Sequence, residues 1–307
     1  MSRFALRGLV AAPYTPFRAD GSLALDIIPA YAALLAAQGV RGAFINGTTG
    51  EGASLTTPER KLVAEAWRRA APASLAVIVH VGHNSLAEST DLSRHAAALG
   101  CDAIAALAPS FFKPAGISGL IDVCASIAAA APGLPFYYYH MPSMTGFHCS
   151  VADFLAQADG RIPNLAGVKF THEDLLEYGL SRQACGGKFD ILHGRDETLL
   201  CGLVLGGTGA VGSTYNYAAK IYLEIMAAFE RGDLAAARAA QFRVQRFIAT
   251  LIRFGGGVVG GKAIMRMCGL DCGPVRVPLV NLAPAAVTAF EQELRAQGCF
   301  EFLVRQG

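Results

Sequence analysis

The stretch Asn164-Leu165-Ala166-Gly167-Val168-Lys169 is a short apolar run that ends on a lysine, and it is one of eight such runs in the chain. The others recur at roughly regular intervals: Leu6–Ala12, Gly42–Asn46, Leu75–Val81, Asp102–Leu107, Leu134–Tyr139, Phe189–His193 and Ala210–Ser213. Continuous apolar runs, rather than alternating ones, are typical of strands that are buried on both faces of a parallel sheet.

Segments with helical periodicity separate these runs. One begins at Thr57-Pro58-Glu59-Arg60, where Thr57 can cap the helix and the proline occupies its first position. The other helices are predicted to begin near Asp26, Ser85, Ser118, Ser150, His172, Asp196 and Asn216. Eight successive strand–helix units predict an α/β protein with a (β/α)8 TIM barrel. A doubly wound sheet is the alternative, but no G-x-G-x-x-G sequence follows the first run.

After Gly232 the pattern changes to helices alone. These helices are predicted over Leu234–Phe254, Lys262–Met267 and Ala283–Gln297, with Gly255-Gly256-Gly257 as a linker between the first two. We therefore predict a barrel over residues 1–232, and a C-terminal helical extension of the same domain over residues 233–307.

Composition excludes several classes of protein. The 307 residues are 53% hydrophobic and 16% charged with a net charge of +2, which argues against disorder and against a strongly basic nucleic-acid-binding face. The longest stretch without a charged residue, Thr198–Ala219, is interrupted by glycines and does not resemble a membrane span. We expect a soluble, cytoplasmic protein with neither nucleic acid nor membrane as a partner.

The residues that most often bind metals lack the usual spacing. None of the eight cysteines forms a C-x-x-C pair, and the seven histidines show no H-x-x-x-H or H-E-x-x-H pattern. Buried free thiols are the expected state of the cysteines, and no metal site is predicted.

Several polar residues fall where a barrel places its catalytic groups. In this fold the active site lies at the C-terminal ends of the strands and in the loops that follow them. The residues at that point of the predicted strands are Thr48, Thr49, Tyr139, Lys169, Asp196, Glu197 and Ser213.

Lys169 is the most informative of these residues because it closes an apolar strand. The other five lysines, by contrast, lie in helix-surface or loop contexts where a solvated charge is expected: Lys61, Lys113, Lys188, Lys220 and Lys262. Removal from water favours an uncharged amine, which is nucleophilic and can form a Schiff base with a ketone. The alternative is that Lys169 takes part in a structural ion pair.

The remaining strand-end residues each allow two interpretations. The Gly47-Thr48-Thr49-Gly50 turn could bind a small anion through hydroxyl and N–H groups, or its threonines could cap their own backbone. One hydroxyl of the tyrosine run that ends at Tyr139 could relay protons, or the run could serve packing alone. Asp196 and Glu197 could bind a ligand or cap the helix that follows.

In combination these motifs indicate a family far more specifically than any one of them does alone. The order G-T-T-G-E, Y-x-x-P-x-x-T-G, G-V-K, G-x-D-E and G-S-T-Y-N resembles the dihydrodipicolinate synthase and N-acetylneuraminate lyase family of class I pyruvate-dependent aldolases. The resemblance runs from Gly8 to about Pro278. It implies a barrel with C-terminal helices, usually assembled as a homotetramer, that needs no metal and no organic cofactor.

The resemblance also implies roles for individual residues. Lys169 matches the Schiff-base lysine, Tyr139 the proton-transfer tyrosine, and Thr48 and Thr49 the residues that hold the substrate carboxylate. The positions that match those binding the hydroxyl chain of a sugar acid are Thr171, Gly194, Asp196, Glu197 and Ser213.

The likeness is strongest to the N-acetylneuraminate lyase branch, in segments such as Gly209–Tyr217 and, at positions expected to lie outside the active site, Gln245–Ile248 and Lys262–Met265. The expected reaction is therefore cleavage of a small-molecule sugar acid, N-acetylneuraminate, to N-acetylmannosamine and pyruvate. An aldolase or dehydratase of the same family that acts on another 2-keto-3-deoxy sugar acid is the first alternative. A non-catalytic protein that binds pyruvate or sialic acid is the second.

Two positions depart from the family pattern. Dihydrodipicolinate synthases place an arginine after Y-x-x-P, where this chain has Met144, which disfavours a substrate with a second carboxylate. Many family members also carry a tyrosine that reaches the active site of a neighbouring subunit, whereas this chain has Phe111 and Phe112. Phenylalanine has no hydroxyl, so the proton relay around Tyr139 is expected to differ.

Overall fold

The computed structural model describes residues 5–304 and contains a closed barrel of eight parallel strands. The strands are β1 (Gly8–Ala11), β2 (Gly42–Ile45), β3 (Ala76–His80), β4 (Ala103–Leu107), β5 (Phe136–His140), β6 (Leu165–Phe170), β7 (Asp190–His193) and β8 (Gly209–Gly212). Each strand pairs with its neighbour in the chain, and β8 returns to pair with β1. The TIM barrel prediction is thus confirmed, and the doubly wound sheet is wrong. The ends of the two predicted segments, residues 1–4 and 305–307, lie outside the described range.

Both faces of the strands are buried, which explains their continuous apolar runs. One face packs on the helices and the other fills the barrel with an inner cluster: Leu6, Val10, Phe44, Ile78, Ala103, Ala105, Tyr137, Tyr139, Ala166, Leu192 and Val211. Since successive side chains of a strand point to opposite faces, Tyr137 and Tyr139 face the interior, whereas Tyr138 packs outward against Phe154.

Twelve α-helices lie within the described residues. They are α1 (Ile28–Ala37), α2 (Thr57–Ala70), α3 (Leu86–Ala98), α4 (Ile117–Ala129), α5 (Pro142–Thr145), α6 (Val151–Ala158), α7 (Leu175–Gly187), α8 (Leu199–Val204), α9 (Tyr215–Glu230), α10 (Leu234–Arg253), α11 (Gly256–Met267) and α12 (Pro284–Ala296). The predicted cap of α2 is wrong by one residue. Thr56 caps this helix, because its hydroxyl accepts from the Glu59 N–H while the Glu59 carboxylate accepts from the Thr56 N–H.

The C-terminal helices bring a new element over the barrel. The predicted glycine linker is wrong in extent, because α11 already begins at Gly256, after Gly255 with a φ of +87°. This left-handed residue allows a bend of 101° between α10 and α11. The hydroxyl of Tyr14, which follows β1, donates to the Gly257 carbonyl at 2.8 Å and ties the start of α11 to the barrel.

Among residues 5–304, none of the single helices has both the length and the apolar character to cross a membrane, although the bent pair α10 and α11 together has the length and composition for it.

Candidate active site

A cavity of about 320 Å³ opens at the C-terminal ends of the barrel strands. Its lining includes every residue that the sequence predicted for the site: Thr48, Thr49, Tyr139, Lys169, Thr171, Gly194, Asp196, Glu197 and Ser213. These residues come from the ends of β5 and β6 and from the loops after β2, β6, β7 and β8. The barrel therefore brings together side chains that are far apart in the sequence.

Lys169 lies in the wall of this cavity between two aromatic rings. Its position on β6 pairs with Tyr139 on β5, and its side chain is almost fully buried. The Lys169 Nζ atom lies 3.9 Å from the centre of the Tyr139 ring and 4.2 Å from that of Phe44. None of the ion pairs among residues 5–304 includes Lys169, so the structural ion pair is not supported, although the charge of Lys169 interacts electrostatically with Asp196. Aromatic faces hold the amine in place without neutralising it, and it remains open to a ligand.

Of the three consecutive tyrosines, Tyr139 presents its hydroxyl to the cavity. It donates to the Met141 Sδ atom at 3.0 Å, and the Thr48 hydroxyl donates to the same sulfur at 3.6 Å. The hydroxyls of Tyr137 and Tyr138 lie beside buried side chains elsewhere in the barrel. Because a thioether is a weak acceptor, the hydroxyls of Tyr139 and Thr48 can readily exchange it for a substrate oxygen.

The loop that carries Thr48 and Thr49 is a tight turn. Asn46 and Glu51 adopt left-handed backbone conformations, with φ values of +58° and +53°. A Cβ atom on Gly52 would lie 1.9 Å from the Asn46 carbonyl oxygen, so only glycine fits. The Thr48 hydroxyl bonds to a methionine rather than to its own turn, which favours the ligand-binding interpretation over self-capping.

Asp196 is buried, and its carboxylate faces the end of β8. The Asp196 Oδ2 atom accepts from the Thr214 N–H at 2.9 Å and from the Thr214 hydroxyl at 2.6 Å. Burial raises the pKa of Asp196 to about 6, and the Thr214 hydrogen bonds only partly oppose this rise. A Cβ atom on Gly212 would lie 1.7 Å from Oδ1, so the adjacent glycine makes room for the carboxylate.

Glu197 forms an ion pair at the mouth of the cavity with Arg195, a residue that sequence reasoning missed. The Arg195 Nη2 atom lies 2.8 Å from a Glu197 oxygen and 2.6 Å from a Glu173 oxygen. Arg195 occupies the variable position of the G-x-D-E motif, so its place in the sequence could have revealed it. The pair restrains the Glu197 carboxylate where it can accept hydrogen bonds from hydroxyl groups.

Three small polar positions complete the predicted set. The Thr171 Oγ1 atom is buried without a hydrogen-bond partner among the described residues, as expected of a group that awaits a ligand. A Cβ atom on Gly194 would lie 2.1 Å from this oxygen, so only glycine at this position leaves room for the Thr171 hydroxyl. Ser213 lies below α11, where a Cβ atom on Gly257 would be 3.1 Å from its hydroxyl oxygen.

Further lining residues come from α10 and α11: Ile248, Leu251, Ile252, Gly257 and Val258. The expectation that the Gln245–Ile248 segment lies outside the site is therefore wrong at Ile248, because α10 packs over the mouth of the barrel. These further lining residues give one side of the cavity an apolar wall. Met144, Phe111 and Phe112 are not among the residues that line the cavity, and the two phenylalanines are 74% and 85% exposed. Within residues 5–304, no group of three histidine, cysteine or acidic side chains is arranged to hold a metal ion.

Comparisons with known proteins identify the family of the chain. Residues 5–297 match the model of the dihydrodipicolinate synthetase family. The N-acetylneuraminate lyase of Mus musculus is 46% identical over 95% of this chain and 92% of its own length. The structure of the Proteus mirabilis N-acetylneuraminate lyase superimposes with a TM-score of 0.93 at 41% identity, over 96% of this chain and 99% of that one. The structure of a catalytic lysine mutant of the Ruminococcus gnavus sialic acid aldolase gives a TM-score of 0.90 at 29% identity, over 97% and 98%.

Proposed function

The chain belongs to the dihydrodipicolinate synthetase family, and from this we propose that it is a lyase that cleaves N-acetylneuraminate to N-acetylmannosamine and pyruvate. The observation that carries the proposal is the buried amine of Lys169, which lies against the rings of Tyr139 and Phe44 and is part of no ion pair found among residues 5–304. The Ruminococcus gnavus sialic acid aldolase has a catalytic lysine, which supports the same role for Lys169.

In the proposed reaction, Lys169 Nζ attacks the C2 ketone of the open-chain substrate. Loss of water gives an iminium, which accepts the electron pair when the C3–C4 bond breaks. The resulting enamine takes up a proton at C3, and hydrolysis then releases pyruvate and the free amine. The hydroxyls of Thr48 and Thr49 bind the substrate carboxylate throughout and orient the ketone toward Lys169.

Tyr139 has the position to move the proton that this bond cleavage requires. As C3–C4 breaks, the C4 hydroxyl loses its proton and becomes the aldehyde of N-acetylmannosamine. The Tyr139 hydroxyl and the substrate carboxylate beside Thr48 form the proposed path for that proton. Met141 stands in this path before substrate binds, because its sulfur accepts from both hydroxyls. No neighbouring tyrosine is needed, consistent with Phe111 and Phe112 in this chain.

The polar rim beyond Lys169 suits a chain of hydroxyl groups. Asp196 and Glu197 provide charged acceptors, and a hydrogen bond to a charged group contributes about 1.5–3 kcal/mol. The unpartnered Thr171 hydroxyl and the backbone at Gly194 and Ser213 extend the same surface. A polyhydroxylated sugar acid satisfies these groups, whereas a short keto acid leaves them unused.

Release of pyruvate from N-acetylneuraminate tests the proposal. We expect turnover in an assay coupled to NADH oxidation by lactate dehydrogenase, and its loss in Lys169→Ala. Borohydride reduction in the presence of pyruvate should attach a stable adduct to the peptide that contains Lys169. Lys220→Ala is the matched control, because the Lys220 ammonium is at the surface and donates to the Glu301 carbonyl.

The outcomes separate the alternatives. A Lys169→Ala protein that still forms a reducible adduct would overturn the assignment of the nucleophile. An adduct with pyruvate but no turnover of N-acetylneuraminate would favour another 2-keto-3-deoxy sugar acid. Binding of pyruvate with neither adduct nor turnover would identify a non-catalytic binding protein.

We also propose that the enzyme is a cytoplasmic homotetramer. The exposed Phe111 and Phe112 pack edge to face, with ring centres 5.0 Å apart, and an apolar pair of this kind suits a contact with a second copy of the chain. The cysteines are free thiols and most are buried, which is typical of proteins from a reducing compartment.

A further inference from the structure

A buried ion pair joins the loop after β2 to helix α11. The Lys262 Nζ atom lies 2.8 Å from Glu51 Oε1, and the two side chains are only 4% and 1% exposed. The same ammonium donates to the Pro274 carbonyl at 2.7 Å and lies 4.3 Å from the centre of the Phe17 ring. The expectation that Lys262 is a solvated surface lysine is therefore wrong, because α11 packs this face against the barrel.

Glu51 also controls the shape of the turn that contains Thr48 and Thr49. Its own N–H donates to the Thr48 carbonyl at 3.1 Å, and its second carboxylate oxygen accepts from the Arg276 N–H at 2.8 Å. Its left-handed backbone is one that side chains other than glycine rarely adopt. The carboxylate anchor below the turn therefore holds the backbone in a conformation that it would not otherwise favour.

We propose that Glu51 and Lys262 are positioning residues that hold Thr48 and Thr49 in the geometry that binds the carboxylate of the keto acid. The inference rests on the proposed function for the roles of Thr48, Thr49 and Lys169. Neither Glu51 nor Lys262 lines the cavity, so both act through the turn. Buried ion pairs contribute little net stability compared with apolar side chains of the same volume, and a role in fixing one geometry explains this pair better.

The variant Glu51→Gln distinguishes a positioning role from a purely electrostatic one, because the two roles predict opposite changes in pyruvate binding. Glu51→Gln removes a negative charge near the proposed anion site, so a purely electrostatic role predicts tighter binding of pyruvate. A positioning role predicts weaker binding, because the turn loses its anchor. Glu51→Gln/Lys262→Met removes both charges and leaves the net charge unchanged, so electrostatics predicts recovery and positioning predicts none.

The experiment measures the pyruvate concentration that gives half-maximal borohydride-trapped adduct, read by intact mass. We expect this concentration to rise about tenfold in Glu51→Gln and in the double variant, as for the loss of one well-placed hydrogen bond. The maximal amount of adduct should stay the same, since Lys169 is untouched. The control is Arg266→Met/Asp271→Asn, which removes a surface ion pair between α11 and the loop that follows it, with both side chains more than half exposed.

Each outcome decides the matter. An unchanged trapping curve in the folded double variant, or tighter pyruvate binding in Glu51→Gln, would overturn the proposal. If neither Glu51→Gln nor the double variant folds, as judged by circular dichroism, the pair belongs to the fold rather than to the turn, and the proposal is equally overturned. A wild-type protein that forms no adduct would instead contradict the proposed function, so the two failures are distinguishable.

Discussion

Replacing Asp196 with asparagine separates the stability cost of burying this carboxylate from its use in the site. Burial raises the pKa of Asp196 from the ordinary 3.8 to about 6, even though Thr214 donates two hydrogen bonds to it. Asparagine has the same shape and can accept from Thr214 through its amide oxygen, but it never ionises. We expect Asp196→Asn to be more stable than the wild type at neutral pH and less active on N-acetylneuraminate.

The sign and size of the stability effect follow from proton linkage. Because the pKa of Asp196 is higher in the folded protein than in the unfolded chain, the unfolded chain ionises first as the pH rises. This group therefore lowers the free energy of unfolding between about pH 4 and pH 6, and the loss is complete above that range. A rise in pKa from 3.8 to about 6 corresponds to roughly 3 kcal/mol, at about 1.4 kcal/mol for each pKa unit.

Urea unfolding of both proteins at pH 4 and pH 8, followed by circular dichroism, measures this effect. The free energy of unfolding of the variant relative to the wild type should increase by about 2–3 kcal/mol from pH 4 to pH 8. In the control Glu197→Gln, which removes one partner of a part-exposed ion pair with Arg195, the change should stay below about 1 kcal/mol. A difference between Asp196→Asn and wild type that is the same at both pH values would refute the reasoning.

The same variant has a kinetic signature. It should still form the pyruvate adduct at Lys169, because Asp196 is assigned to the hydroxyl chain rather than to the keto acid. The KM for N-acetylneuraminate should rise about tenfold or more, since a hydrogen bond to a charged acceptor contributes about 1.5–3 kcal/mol. Weaker trapping of pyruvate alone would place Asp196 in the chemistry of the Schiff base and contradict this assignment.

Two further substitutions test the mouth and the floor of the cavity. Arg195→Met frees Glu197 from its ion pair, and because part-exposed pairs contribute at most about 1 kcal/mol, the KM for N-acetylneuraminate should rise up to about fivefold with pyruvate trapping unchanged. A loss of pyruvate trapping would contradict that role. Gly194→Ala places a Cβ atom 2.1 Å from Thr171 Oγ1, so urea unfolding should show a loss of about 1–3 kcal/mol. Gly133→Ala, at an open position, should show no comparable loss.

The barrel could be predicted because its strands are buried on both faces. Every strand lies within one residue of a predicted run, since water is excluded from both sides and the apolar pattern is continuous. The predicted starts of the helices were less accurate than the strands. The cap of α2 was placed at Thr57 instead of Thr56, and α11 begins at Gly256 inside the predicted linker, because a glycine run is compatible with a turn and with a helix start.

Part of the site could be predicted from the sequence, because a barrel brings the C-terminal ends of its strands together at one face. Residues such as Lys169 and Tyr139 were found since each closes an apolar run, and the structure places them side by side on β6 and β5. Met141 and Arg195 were missed because they occupy the variable positions of motifs. The apolar wall from α10 was missed because the Gln245–Ile248 segment carries no catalytic residue type, and only the packing of that helix over the barrel brings Ile248 to the cavity.

The two buried lysines, Lys169 and Lys262, show that the sequence does not reveal which groups a side chain contacts. Lys169 and Lys262 are equally inaccessible to water. The Lys169 amine lies against two aromatic rings and is part of no ion pair found among residues 5–304, whereas the Lys262 amine has a carboxylate at 2.8 Å. An unpaired buried amine is costly unless a ligand uses it, whereas a paired one is satisfied within the fold. The partner of Lys262 is Glu51, which is far from it in the sequence, in the loop after β2. Only the tertiary structure therefore distinguishes Lys262, which anchors the turn, from Lys169, the proposed nucleophile. That difference in partners, rather than burial itself, is the physical basis for assigning the Schiff base to Lys169.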